Sequence, residues 1–315
     1  MTAKDSTHIS AIVVATSLNA TMSNKEFSPI EHVAREYHEY PGAQYALPTD
    51  DAERKRLWLQ HTCIKTLFDN RILLAPVTLA PEDRVLDSGT GPGLWALDLA
   101  QSVDSAVNIL GIDIASRLFP LSPPKNVAFE VGSVTNLPLD WSDTFTLVHQ
   151  RLLMLALQTP EWPQALREIY RVLRPGGWVQ LAESIAWFEG EYPEKPCMMK
   201  LVSLYRCLTK SRNLYIDCAS HMPAMLAEAG FVDIQAEERP LLMGQWAGAD
   251  GVANATTNIG VFRGIKTPVL EAGGYGKVTT EAEYDALVEG LEREWEEIPG
   301  TKKEFVTFWA RKPEN

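Results

Sequence analysis

A glycine-rich turn that follows a short apolar segment is the feature that most constrains the fold of this chain. Residues 85–87, Val-Leu-Asp, have the pattern of a buried strand that ends in an acid. The following residues place a glycine at every second position, at Gly89, Gly91 and Gly93. Glycine tolerates positive φ angles and lets a ligand approach the backbone closely. A strand, such a turn and a helix in this order predict an open parallel sheet with a ligand site at the carboxyl ends of its strands.

Strand-like and helical segments alternate from residue 83 onward, and parallel strands require crossover connections of this kind. The five strands predicted in this region cover residues 84–87, 107–113, 127–131, 144–149 and 178–183. Helices are predicted between them, at residues 94–101 and along the apolar positions Trp162, Leu166, Ile169, Val172 and Leu173. The pattern therefore predicts a doubly wound α/β fold around a mostly parallel sheet.

Segments on either side of this region complete the predicted seven-stranded fold. A helix is predicted over residues 51–73, and Asp50 with Glu53 has the spacing of a capping box at its start. Later helices are predicted at residues 198–210, 219–229 and 280–298, and the last two strands at residues 232–238 and 304–311. We expect four units: a leader at 1–27, a helical lid at 28–80, a ligand-binding core at 81–190, and helical insertions with the last two strands at 191–315. Residues 240–280 have no assigned role.

Charge and cysteine usage narrow the class of protein. The net charge of −12 disfavours a nucleic-acid partner, because phosphate binding relies on clusters of Lys and Arg. The four cysteines lack CxxC spacing, so neither a zinc site nor a disulfide framework is predicted. The apolar stretch at residues 11–15 is too short to cross a bilayer. We expect a cytoplasmic protein, with the nucleus as the alternative, that binds neither a metal nor a membrane.

The composition of the glycine-rich turn discriminates between ligands. A dinucleotide fingerprint needs a third glycine at the position of Leu94, which disfavours an NAD-dependent oxidoreductase. A phosphate-binding loop needs Gly-Lys-Ser/Thr, which is absent. The acid-x-Gly-x-Gly-x-Gly pattern at residues 87–93 instead resembles motif I of the class I S-adenosylmethionine-dependent methyltransferases. This resemblance implies a Rossmann-like fold and S-adenosylmethionine as the cofactor.

The same resemblance implies roles for residues beyond the turn. Asp113 would bind the ribose hydroxyls, and Ser133 with Val134 would lie beside the adenine, although the family usually has Asp at position 133. The turn at residues 173–178 looks like the one that precedes the family's fifth strand. The complete set of expected cofactor-binding residues is Tyr45, Asp87, Ser88, Gly89, Gly91, Gly93, Asp113, Ile114, Ser133, Val134, His149 and Gln150.

Two further segments resemble one fungal group of these methyltransferases. They are the run YALPTDDAERKRL at residues 45–57, followed by Gln60 and His61, and Trp141 with the run 148–151. The group contains secondary-metabolite enzymes and velvet-associated regulators. The resemblance implies methyl transfer to an oxygen or nitrogen of a small aromatic metabolite, with oxygen preferred. The alternatives are a cofactor-binding regulator or scaffold with a protein partner, and a pericyclase-like enzyme that keeps the cofactor as a structural charge.

Catalytic and acceptor-binding candidates follow from their places at strand and helix ends. His149 ends the fourth predicted strand and is the preferred general base, and His221 is the second candidate. Arg151 could hold a carboxylate acceptor or pair with an acid. For both histidines a hydrogen-bonding, capping or surface role is the alternative, and core packing is the alternative for the aromatic residues. The expected acceptor-binding residues are Tyr37, Tyr40, Arg151, Tyr205, Trp246, Asn258 and Phe262.

Overall fold

The structure of the protein is a computed structural model that describes residues 32, 35–37 and 44–314. The predicted leader at residues 1–27 and the candidate Tyr40 lie outside the described residues. The described part of the chain forms one seven-stranded sheet in the order β3-β2-β1-β4-β5-β7-β6. Its strands are β1 (Arg84–Ser88), β2 (Asn108–Asp113), β3 (Val127–Val131), β4 (Phe145–Arg151), β5 (Leu173–Ser184), β6 (Val232–Leu242) and β7 (Lys302–Arg311).

Strand direction divides the sheet into two parts. The pairs β3–β2, β2–β1, β1–β4 and β4–β5 are parallel, whereas β7 runs antiparallel to both of its neighbours. The strand order reverses between β1 and β4, which is where doubly wound sheets bind ligands. The helices are α1 (Asp51–Leu67), α2 (Leu94–Ser102), α3 (Glu161–Val172), α4 (Pro196–Ser211), α5 (Cys218–Glu228), α6 (Gly248–Gly264), α7 (Lys266–Glu271) and α8 (Glu281–Glu297).

The central strands supply apolar side chains to cores on both faces of the sheet. Val85 packs in the cluster that contains Trp95 and Leu99 of α2, whereas the next residue, Leu86, packs in the cluster that contains Trp162 of α3. Successive side chains of a strand point to opposite faces, so a continuous apolar run is what a strand covered on both faces needs. The apolar runs of the sequence therefore predicted the buried strands correctly.

The first helix begins where the sequence predicts and ends earlier. The Asp50 side chain accepts a hydrogen bond from the Glu53 N–H, as expected for the N-cap. The helix stops at Leu67, and not at residue 73, because Asp69 and Asn70 adopt left-handed φ angles of 57° and 61°. A helix cannot continue through such residues. Ile72, which had the helical spacing, packs instead against the α2 side of the sheet.

The segment that the sequence left unassigned forms the helices α6 and α7. Helix α6 packs beside α1, and Gly260 is one of the positions that permit this contact. A Cβ atom at Gly260 would lie 2.6 Å from Cδ of Arg56. The absence of a side chain at this position therefore lets the stem of Arg56 cross the surface of α6. Among the described residues, no helix combines the length and apolar character that a membrane crossing requires.

Candidate active site

A cavity of about 420 Å³ lies at the carboxyl ends of β1, β2 and β4, where the strand order reverses. We refer to it as the main cavity. Its walls come from the N-terminal segment, α1 and the loops that follow the first four strands. They include Tyr45, Thr49, Leu57, Gln60, Gly89, Gly91, Asp113, Ile114, Ser133, Val134, Arg151, Leu152 and Leu153.

The three glycines of the turn serve different purposes. Gly89, Gly91 and Gly93 all have positive φ angles, of 71°, 53° and 73°. A Cβ atom at Gly93 would lie 2.5 Å from Cζ of Phe129, so packing requires glycine there. A Cβ atom at Gly91 would have no protein atom within 4 Å, and Gly91 lines the main cavity. The bare backbone at Gly91 thus leaves space for a ligand.

Asp113 links the end of β2 to the glycine turn. One carboxylate oxygen accepts a hydrogen bond from the Gly91 N–H at 2.9 Å, and the other accepts from the Ala115 N–H at 3.3 Å. The side chain lines the main cavity, and burial raises its pKa above the ordinary value. This carboxylate is well placed to accept hydrogen bonds from the hydroxyl groups of a ligand in the main cavity.

Asp87 and His149 form a buried pair behind the turn. The His149 Nδ1 lies 2.7 Å from Asp87 Oδ1, and the Thr90 hydroxyl donates to the other Asp87 oxygen at 2.5 Å. The imidazole ring stacks on the Trp95 indole at a centroid distance of 3.8 Å, and burial lowers the pKa of His149. His149 does not line the main cavity, so its predicted role as a general base does not fit this position.

The expected cofactor-binding residues therefore divide into two groups. Seven of them line the main cavity: Tyr45, Gly89, Gly91, Asp113, Ile114, Ser133 and Val134. The others support the turn from behind. The Ser88 hydroxyl donates to the Gln150 side chain at 3.3 Å, Gly93 is the N-cap residue of α2, and Asp87 orients Thr90 and His149.

Arg151 at the end of β4 belongs to the main cavity and to a buried polar chain. Its Nη2 donates to Nδ1 of His61 at 3.0 Å, and Nε2 of His61 donates to the Asp98 carboxylate at 3.0 Å. Burial, together with the charge of Arg151, lowers the pKa of His61 to about 4, so the imidazole is neutral. Among the described residues, no carboxylate lies within ion-pair distance of Arg151. Its charge is therefore available to an anionic group in the main cavity.

A second cavity of about 80 Å³ adjoins the main one and shares Tyr45, Leu57, Gln60 and Leu152 with it. Tyr205 and Asn258, two expected acceptor-binding residues, line this second cavity. They also line a third cavity, of about 20 Å³, together with Phe262. The second cavity includes Arg56 and Lys303 as well, which the sequence analysis did not identify. Arg56 lies within the run at residues 45–57 that resembles the fungal group. That resemblance indicated the importance of the segment but did not single out the Arg56 side chain.

Three other candidates lie away from these cavities. Trp246 is 43% exposed and donates its indole N–H to the Met243 carbonyl. The exposed His221 contacts the Asp217 carbonyl through Nδ1 at 3.0 Å, one turn earlier on α5. The Tyr37 hydroxyl donates to the Gly264 carbonyl at 2.7 Å. The predicted base role of His221 and the predicted acceptor contacts of Trp246 and Tyr37 do not fit these positions.

Glu183, near the end of β5, holds the loop that lies between the main cavity and the second cavity. Its Oε1 accepts a hydrogen bond from the Leu153 N–H at 2.7 Å, and its Oε2 has no hydrogen-bond partner among the described residues. The adjacent Leu152 lines both cavities and has a φ angle of 56°. Burial raises the pKa of Glu183 to about 8. Burial therefore favours the protonated, uncharged form of Glu183 beside this loop.

Replacement of Glu183 by glutamine should change the pH dependence of stability. The pKa of about 8 in the folded protein exceeds the ordinary value of 4.5, so the folded state keeps a proton that the unfolded chain releases. The contribution of Glu183 to stability is present below pH 4.5 and is lost as the pH rises to about 8. Glutamine retains the acceptor for Leu153 and cannot ionise. We expect Glu183→Gln to exceed the wild type in free energy of unfolding by about 4 kcal/mol near pH 8 and by less than about 1 kcal/mol near pH 5.

Urea unfolding across this pH range measures the difference. Glu189→Gln is the control, because Glu189 is exposed and accepts a hydrogen bond from Ser203. The free energy of unfolding of the control should differ from that of the wild type by the same amount at every pH. A constant difference between Glu183→Gln and the wild type would contradict a raised pKa at this position.

Comparison with known proteins identifies the family. A family model described as a methyltransferase domain matches residues 85–177, which include the glycine turn and Asp113. The N-methyltransferase sirN of Leptosphaeria maculans is 30% identical over 286 residues, which cover 88% of this chain and 98% of the relative. The chain belongs to the class I S-adenosylmethionine-dependent methyltransferases. S-adenosylmethionine is accordingly the cofactor of this methyltransferase.

Two further fungal relatives of the methyltransferase differ in their stated roles. The N-methyltransferase gliN of Aspergillus fumigatus is 29% identical over 287 residues, covering 85% of this chain and 96% of the relative. The secondary metabolism regulator laeA of Fusarium oxysporum is 30% identical over 214 residues, covering 64% of this chain and 66% of the relative. The methyltransferase is thus similar both to enzymes and to a regulator, as its N-terminal run predicted. Among the described residues, no three His, Cys, Asp or Glu side chains cluster as metal ligands would.

Proposed function

We propose that this methyltransferase transfers a methyl group to a nitrogen atom of a small secondary metabolite. The observation that carries the proposal is the junction of the main and second cavities, where a cofactor in the main cavity would meet an acceptor in the second. The sequence analysis favoured oxygen over nitrogen as the methyl acceptor. The relatives sirN and gliN are both named N-methyltransferases, which does not support that preference and favours nitrogen.

The main cavity fits the parts of the cofactor. Gly91 leaves room for a ligand against the backbone, and the Asp113 carboxylate would accept from the ribose hydroxyls. Ser133 and Val134 would lie beside the adenine. Arg151 would pair with the carboxylate of the amino-acid part, since its guanidinium has no carboxylate partner among the described residues. Asp87 and His149 would act indirectly, by holding the turn in shape.

The bound cofactor supplies a sulfonium methyl group that is already reactive toward a nucleophile. The chain's own contribution is then to align the acceptor nitrogen and to exclude water. Leu57 and Leu152 line both cavities at the junction and provide apolar walls there. Positioning of this kind can lower a barrier by about 7–11 kcal/mol. A neutral amine reacts through its lone pair and releases its proton to solvent after methyl transfer, so this arrangement requires no histidine as a base, in agreement with the enclosed position of His149.

The proposal is tested by binding and by turnover. Calorimetry should detect binding of S-adenosylhomocysteine to the folded protein. Incubation with donor labelled with carbon-13 in the methyl group, together with extracts of fungal metabolites, should yield labelled products. The carbon chemical shift of the label distinguishes N-methyl from O-methyl products. Labelled O-methyl products alone would reject nitrogen as the acceptor, and absence of cofactor binding would reject the proposed site.

A regulator or scaffold is the second candidate, because the relative laeA is named as a regulator of secondary metabolism. Such a protein would bind the cofactor in the same main cavity and would turn over weakly or not at all. Cofactor binding without any labelled small-molecule product, together with capture of a velvet-type protein, would favour this candidate. Labelled small-molecule product formed at a steady rate would reject it.

A further inference from the structure

The second cavity is largely apolar but contains two cationic side chains, each with a nitrogen that has no hydrogen-bond partner among the described residues. Its apolar lining includes Leu47, Leu155 and Phe305. Arg56 enters it from α1, and Lys303 enters it from β7. An N–H group that is buried without a partner is costly, so Nη1 of Arg56 indicates a ligand that completes it.

Arg56 presents one free N–H₂ group. The side chain is only 9% exposed, and its Nε and Nη2 donate to the two oxygens of Glu53 at 2.8 and 2.6 Å. The remaining nitrogen, Nη1, is buried and has no hydrogen-bond partner among the described residues. Gly260 makes room for the stem of this side chain, as described above. The position of Arg56 is therefore fixed, with one donor left for a ligand.

Lys303 presents a second free donor. Its Nζ lies 4.8 Å from the centre of the Trp187 ring, and among the described residues it makes neither a hydrogen bond nor a salt bridge. Burial and the charge of Arg56 lower its pKa, opposed by Glu183 and Glu191, to a net value of about 8. At neutral pH most of the molecules therefore carry an ammonium group here. The neighbouring Lys302 differs, because it is exposed and pairs with Glu304 at 2.8 Å.

We infer that the second cavity recognises the acceptor through an electronegative oxygen, carboxylate or carbonyl, held between Nη1 of Arg56 and Nζ of Lys303. Both groups only donate hydrogen bonds, so they suit an oxygen and repel a cation. The nucleophilic nitrogen would then lie toward Gln60 and Leu152, where the main and second cavities meet. The inference rests on the proposed function and specifies its substrate class: a small nitrogen compound that also carries an acidic or carbonyl oxygen.

Binding of two small probes tests this inference. Benzoate and benzylamine have similar size and opposite charge, and calorimetry measures the Kd of each with and without saturating S-adenosylhomocysteine. Benzoate should bind the wild type at least about tenfold more tightly than benzylamine. Lys303→Met should bring the ratio of the benzylamine Kd to the benzoate Kd close to one. Lys302→Met, the matched control on the same strand, should leave this ratio at its wild-type value. Raising the pH through about 8 should weaken benzoate binding in the wild type, because Lys303 loses its charge while Glu183 gains one, and should weaken it less in Lys303→Met.

A second variant tests the other donor. Glu53→Gln combined with Arg56→Gln removes both charges of the buried pair, so no carboxylate is left without its partner. This double variant should also reduce the preference for benzoate. No measurable benzoate binding to the wild type, or an unchanged ratio in Lys303→Met, would overturn the inference. If S-adenosylhomocysteine binds and benzoate does not, only the inference fails. If benzoate binds in a Lys303-dependent manner and S-adenosylhomocysteine does not, only the proposed function fails.

Discussion

Asp113→Ala should weaken the binding of S-adenosylhomocysteine at least about 100-fold. The substitution removes a carboxylate that would accept from the ribose hydroxyls, and hydrogen bonds to charged groups contribute about 1.5–3 kcal/mol each. It also frees the Gly91 N–H, whose bond to Asp113 ties the glycine turn to β2. The loss of the ribose hydrogen bonds and the loss of the bond that ties the glycine turn to β2 together account for the expected decrease in affinity of about 100-fold. Calorimetry on the purified variant, with thermal unfolding to verify the fold, measures it.

Asp104→Ala is the matched control for this variant. Asp104 accepts from the Ala106 N–H at 2.8 Å, the same local bond that Asp113 makes with the Ala115 N–H, but its side chain is exposed and lies outside the main cavity. The control should bind S-adenosylhomocysteine like the wild type. Equal affinities for Asp113→Ala and Asp104→Ala would mean that Asp113 does not hold the cofactor.

Gly91→Ala should abolish most cofactor binding while the protein remains folded. No protein atom lies within 4 Å of the added Cβ, so the cost to stability comes from the left-handed backbone, about 1–2 kcal/mol. The new methyl group would project into the main cavity, where the cofactor is expected to lie against the backbone. We expect an affinity for S-adenosylhomocysteine at least about tenfold lower, measured by calorimetry beside the free energy of unfolding.

Gly190→Ala separates the loss of stability from the loss of cofactor affinity. Gly190 also has a positive φ angle, 84°, and an added Cβ there would likewise have no protein atom within 4 Å, but Gly190 does not line the main cavity. The two variants should lose similar stability, and only Gly91→Ala should lose cofactor affinity. If Gly91→Ala bound S-adenosylhomocysteine as tightly as Gly190→Ala, the cofactor would not lie against this turn.

Local patterns predicted most of the fold. The predicted strand over residues 127–131 coincides with β3, and the predicted strands at 84–87 and 178–183 lie within β1 and β5. These predictions succeeded because apolar runs and turns are properties of neighbouring residues. The predicted end of α1 was wrong, because it depends on a backbone conformation that the spacing of apolar residues does not report. Ile72 has helical spacing, but Asp69 and Asn70 turn left-handed, and spacing alone does not report that.

Prediction of the site was less complete, because the direction of a side chain depends on what packs around it. The sequence placed His149 at the carboxyl end of a strand, where β4 does carry it. Only the packing shows that Trp95 of α2 covers its ring and that Asp87 of β1 binds Nδ1. Arg151, two residues later, remains exposed to the main cavity. Position along the strand was therefore predictable, and access to the ligand was not.

The sequence by itself determined the family, the cofactor and the turn that ends at Gly93, since one strand–turn–helix–strand unit contains both that turn and Asp113. Only the tertiary structure decided the composition of the second cavity. Arg56 and Lys303 lie near opposite ends of the chain, and they meet because α1 packs on α6 while β7 enters the sheet beside β5. Contacts between such distant segments follow from how whole helices and strands pack, which no local pattern encodes.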